Sequence, residues 1–77
     1  MKRVIHIDDD ILGGTPVFWG TRVPIKNLFD YLEEGEAITE FLIDFPTVKA
    51  EQVNAILNIS QELLMNMTRV AHENIAG

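Results

Sequence analysis

Residues 13–24, GGTPVFWGTRVP, hold three glycines and two prolines beside two aromatics and one arginine. No helix propagates through such a run, because proline removes an N–H and fixes φ while glycine weakens the helix backbone. The segment is confined to strands and turns, and it sets the layout of everything around it. Upstream, Val4-Ile5-His6-Ile7 is a β-branched run stopped by Asp8, Asp9 and Asp10, which reads as an edge strand. Aspartates bond their own backbone and Gly13-Gly14 supply positive φ, so residues 8–14 read as a turn. Pro16 to Trp19 reads as a second short strand, broken by Gly20. Thr21-Arg22-Val23 is extended, since the residue before proline is pushed out of the α region. Pro24 then suits the first position of a helix.

Past Pro24 the apolar period becomes helical. Ile25, Leu28, Phe29 and Leu32 share one face of a helix that Gly35 ends. Ile38, Phe41, Leu42 and Phe45 mark a second, stopped by Pro46. The third and longest is expected from about Ala50 to His72, with Thr47 as an alternative start. Its stripe is Val53, Ile56, Leu57, Ser60, Leu63, Leu64, Met67, Val70 and Ala71. The fold expected is mainly α with a small N-terminal β element: a trihelical arrangement, the layout of a helix-turn-helix and of other small helical domains, with an extended C-terminal helix. It divides into a β-hairpin arm (1–24), the trihelical unit (25–58) and a partner-binding helix (59–77) of one domain.

Size makes the third stripe informative. A chain of 77 residues buries only about 60–65% of its unfolded surface and is marginal alone. Such chains usually add a disulfide, a metal or a partner. Cysteine is absent, which removes disulfides and thiolate sites. No apolar run approaches a membrane span and MKRVIHIDDD has no signal-peptide h-region, so a cytoplasmic chain without a membrane role is expected. Residues beyond Ser60 have no counterpart in the chain large enough to cover them. Leu63, Leu64, Met67, Val70 and Ala71 are thus expected to fill a partner's groove by the helix-in-groove mode. Glu62 and Glu73 would suit a basic partner surface.

The net charge of −6 and a pI near 4.6 speak against nucleic acid when taken alone. The distribution is uneven. Residues 1–26 carry four cations against three aspartates, whereas residues 27–77 carry two cations against nine carboxylates. Arg22, held extended, offers a planar fork to a phosphate or a carboxylate; pairing with the 8–10 aspartates or the first helix is the alternative. Lys26 and Lys49 suit phosphates or are solvated surface residues. Gln52 and Asn54 have the chemistry to read adenine edges or are simply exposed. His6 with the three aspartates reads as a polar turn rather than a metal site, because alternating strand residues face opposite ways. Gly13-Gly14 lacks P-loop or GxGxxG spacing. His6 and His72 lie at opposite ends and no catalytic set is visible, so neither an enzyme nor a cofactor is expected.

GGTPVFWGTRVPI, followed by FDYLEEGEAITEFLIDFPTVKAEQV, resembles the domain-of-unknown-function family 433 over residues 5 to about 64. The shared pattern is a glycine pair, a proline, Gly20-Thr21-Arg22-Val23-Pro24, a helix ending at glycine, and Phe45-Pro46 before the last helix. The resemblance implies a homeodomain-like or winged trihelical helix-turn-helix preceded by a small β element, and a dimeric antitoxin of a type II toxin–antitoxin pair. Its partner would be a PIN-like ribonuclease toxin bound by the C-terminal helix, and its N-terminal part would dimerise and bind operator DNA. Thr21, Arg22, Lys26, Lys49 and Gln52 are the residues assigned to DNA. Asp9 departs from the family's proline, Trp19 from a small or basic residue, and Ala37 and Lys49 from helix-capping serine or threonine. The rival expectations are an acidic protein-interaction module without DNA binding, and a helix-turn-helix regulator without a toxin.

Overall fold

The computed structural model describes residues 3–76, with the side chains of residues 3–69. The protein is mainly helical. Strands β1 (Ile5–His6) and β2 (Val17–Phe18) pair antiparallel, with Ile5 opposite Phe18 and His6 opposite Val17. Helices α1 (Ile25–Glu33), α2 (Ile38–Asp44) and α3 (Ala50–Ala76) follow. Among the described residues no helix is long and apolar enough to cross a membrane.

The turn between the strands is built as the aspartates and glycines imply. The Asp8 carboxylate accepts the Asp10 N–H at 2.8 Å. Leu12, Gly13 and Gly14 then take φ of 49°, 66° and 90° in one 3-10 turn. At Gly14 a β-carbon would stand 3.1 Å from an exposed Asp9 carboxylate oxygen that can give way, so it is the backbone angle that selects glycine there. Both strands are shorter than the apolar runs that contain them. Pro24 lies outside α1 as its N-cap, with ψ of 138°, and bridges to Val17 instead of opening the helix.

α1 ends in a Schellman motif: the Glu36 N–H reaches the Tyr31 C=O at 2.9 Å and the Gly35 N–H reaches Leu32 at 3.1 Å. The left-handed φ of 78° at Gly35 makes this possible. α2 starts after Ala37 with no side-chain cap. α3 starts at Ala50 rather than Thr47 and runs unbroken past both residue 58 and His72. Its missing serine cap is partly replaced by Gln52, whose Oε1 accepts the Lys49 N–H at 2.9 Å.

The core is centred on α2. Phe18, Leu28, Phe41, Val48, Val53 and Ile56 are buried together, one or two from β2, from each helix and from the α2–α3 turn. The Phe41 ring lies 5.9 Å from Phe18, 5.3 Å from Tyr31 and 5.0 Å from Phe45, in tilted and edge-on geometries that favour aromatic pairs. Val17 and Phe18 are fully buried, so β2 packs into the core.

Candidate functional site

The hairpin and the start of α3 meet at the Trp19–Gly20 turn. The Phe18 C=O accepts both the Thr21 N–H at 3.0 Å and its hydroxyl at 2.8 Å. The same hydroxyl accepts the Val23 N–H at 3.0 Å, and the Phe18 N–H closes the loop on the Val23 C=O at 3.0 Å. Arg22 is carried on this closed loop with its side chain exposed. Among the described residues it forms no ion pair, so the internal pairing with the aspartate turn is not made.

Trp19 is held from both ends. Its N–H donates to the Val4 C=O at 2.8 Å, and its C=O accepts from Gln52 Nε2 at 2.9 Å. The Arg3 guanidinium lies 4.7 Å from the indole centroid, and the His6 ring stacks at 4.5 Å with a 38° tilt. A cleft of about 540 Å³ is lined here by Arg3, Trp19, Lys49, Glu51 and Gln52. A second, of about 630 Å³, is lined by His6, Ile11, Thr21, Arg22 and Val23. Gly20 and Thr47 belong to both.

This arrangement sorts the residues assigned to DNA. Arg22 and Lys49 come together around the turn. Thr21 spends its hydroxyl on the loop, and Gln52 spends both ends of its amide, on Lys49 and Trp19. Lys26 stands apart on α1, with its ammonium 2.8 and 2.9 Å from the two Asp30 carboxylate oxygens. That hydrogen bond first, and the carboxylate charge second, raise its pKa. Asn54 is exposed on α3. Arg3 joins the group although no sequence spacing links it to Trp19; the pairing of the strands does, through the Val4–Trp19 bond.

The other end of α3 is apolar and uncovered. Val53 and Ile56 are buried and Leu57 is half-buried, but every described residue from Gln61 onward is exposed. Leu63, Leu64 and Met67 are 58–59% exposed. Ile59, absent from the stripe read in the sequence, is exposed beside them, and Met65 is exposed on the reverse face. Glu62 comes six positions after Ile56, about 240° round the helix, on the side away from the ridge. The side chains of Val70, Ala71 and Glu73 lie outside the described residues. Ser60 and Thr68 return their hydroxyls to the carbonyls of Ile56 and Leu64, each at 2.8 Å, which lowers the polarity they show a partner.

No solved structure matches this chain. A curated protein from Sinorhizobium fredii (strain NBRC 101917 / NGR234), described as "Uncharacterized protein y4eO", is 35% identical over 52 residues. The match takes in 68% of this chain but 24% of the relative, so the chain spans about a quarter of that protein's length. The model of a family described as "Protein of unknown function (DUF433)" matches residues 5–58, from β1 through the core-facing start of α3. The chain belongs to the DUF433 family.

Proposed function

We propose that the chain is the antitoxin of a type II toxin–antitoxin pair, neutralising a PIN-like ribonuclease with the ridge of α3 and binding operator DNA as a dimer. In this reading the three helices are a homeodomain-like helix-turn-helix, the chain acts in the cytoplasm, and it performs no catalysis. One observation carries it. Beyond Ser60, α3 holds Leu63, Leu64 and Met67 in water, on the continuation of the face that buries Val53 and Ile56. Covering the exposed part of those three side chains would contribute roughly 3–5 kcal/mol before association costs. A groove in a second protein suits a single helix better than a flat surface does.

The test is co-expression with the product of the adjacent reading frame. A stable complex and relief of growth inhibition are expected. The double variant Leu63→Asp/Met67→Asp should lose both while melting like the parent, because the residues are exposed. Recovery of an equally stable complex from that variant, or no complex from the parent, refutes the proposal. The second reading, an acidic interaction module without DNA binding, is favoured by the net charge of −6. Failure to bind DNA alongside intact toxin neutralisation would establish it.

A further inference from the structure

We infer that the two clefts around the Trp19–Gly20 turn form one phosphodiester-binding site, with Arg3, Arg22 and Lys49 as its cations and Trp19 as its floor. The inference rests on the DNA half of the proposal above and reassigns its contacts.

Charge is the first argument. Residues 3–69 contain five lysines and arginines, and three of them line these adjoining clefts. Of the other two, Lys26 is neutralised by Asp30. Arg69 lies far along α3 and bonds Asn66 at 3.4 Å. Glu51 is the one carboxylate among the lining residues. Asp8 lies 4.0 Å from His6, a lining residue. Elsewhere the described surface is dominated by carboxylates, so an anion approaching this protein meets attraction chiefly here.

Preorganisation is the second. Arg3 is pinned against the indole, which removes part of the entropy cost of fixing a long side chain on a ligand. Arg22 sits on a loop whose backbone is closed by four hydrogen bonds. Lys49 precedes the first turn of the longest helix, whose N-terminal dipole adds to its charge. Thr47 places a hydroxyl-bearing residue where the clefts join.

The same geometry limits what is read. Each end of the Gln52 amide is already bonded within the chain, so its orientation is set by Lys49 and Trp19 rather than left to an adenine edge. The contacts are to backbone phosphate, which positions a nucleic acid without specifying sequence.

The only tryptophan of the chain is in the site, so its emission reports occupancy directly. The full chain is titrated with a short mixed-sequence DNA duplex, with single-stranded RNA, and with inorganic phosphate. Saturable change in Trp19 emission is expected with a polymer, and the tighter polymer identifies the backbone. On duplex DNA the slope of log K against log salt should be about −2.7 per protomer for three contacts, or about −2 on single strands. Arg22→Ala and Lys49→Ser should each reduce the slope by about one contact, while Lys26→Ala leaves it unchanged. Lys49→Ser keeps the protein folded, since serine would complete the cap on α3. The site is refuted by unchanged Trp19 emission with both polymers, by Lys26→Ala matching Lys49→Ser, or by inorganic phosphate binding as tightly as polymer. Toxin neutralisation by Lys49→Ser should be unaffected, so the two proposals fail separately.

Discussion

Gln52→Ala removes the tie between the hairpin and α3, and its cost follows from the two bonds it breaks. One, to the Lys49 N–H at 2.9 Å, is exposed, so water replaces the lost acceptor cheaply. The other, to the Trp19 C=O at 2.9 Å, is partly buried, and truncation strands a carbonyl. Taken together the loss is about 1.5–2.5 kcal/mol. For a domain of this size total stability is roughly 4–12 kcal/mol, and each kcal/mol moves the melting temperature by about 4–8 °C. Gln52→Ala should therefore melt about 6–20 °C lower in far-ultraviolet circular dichroism, with Trp19 emission changing in the same transition. Gln52→Glu keeps the acceptor for Lys49 and loses the donor to Trp19, which isolates the tertiary bond. Asn54→Ala, exposed two residues along the same helix, should stay within about 0.5 kcal/mol of the parent. If Gln52→Ala and Asn54→Ala melt together, the amide is not a clamp, and its assignment to base reading regains force.

Ala37→Ser should stabilise the protein by about 1 kcal/mol, read in urea unfolding, because serine three residues before Glu40 completes a capping box on the uncapped α2. Gly35→Ala should cost about 1 kcal/mol and Gly35→Asn less, since φ of 78° is left-handed and nothing surrounds the position that would clash with a β-carbon. The single tyrosine is directly titratable by tyrosinate absorbance. Its hydroxyl donates to Asp44 at 2.6 Å, and that bond, ahead of desolvation, pushes its pKa up from 10.0 to about 12. The stabilisation is present below about pH 10 and is lost as pH rises toward 12; Asp44→Asn should move the titration midpoint back down.

Periodicity and punctuation made most of the fold legible. Ile25, Leu28 and Phe29 placed α1, the Gly35 stop was a true Schellman glycine, and Pro46 ended α2. What periodicity cannot carry is the pairing of elements distant in sequence. Phe18 reads as one residue of an edge strand, yet it is fully buried against Phe41. Pro24 has helix-start chemistry, but its bridge to Val17 holds it in the extended region. Gln52 looks like an adenine reader by type, and only the fold reveals a carbonyl within its reach. Arg3 was legible as charge but not as a neighbour of Trp19. The exposed ridge was legible because it depends on an accounting of surface: the chain has too few residues elsewhere to cover it.

The two proposed contacts sit far enough apart on α3 to act together. From Lys49 to Met67 is 18 residues, about 27 Å along the helix axis, so a protein seated on the ridge need not touch the junction. The helix also separates the two kinds of affinity. Binding at the ridge rests on apolar area, which salt weakens little, whereas binding at the junction rests on counterion release and fades steeply with salt. Coupling between them has to pass through the start of α3, where Gln52 joins Lys49 of one site to the backbone of Trp19, the floor of the same site. The buried face of Val53 and Ile56 anchors that start to the core, so a partner that orders or bends the outer helix reaches the junction only by straining this anchor. The fold thus brings Lys49, the chain's one tryptophan and the tie between them to the point where the helix enters the body, and leaves Leu63, Leu64 and Met67 exposed for a partner to cover.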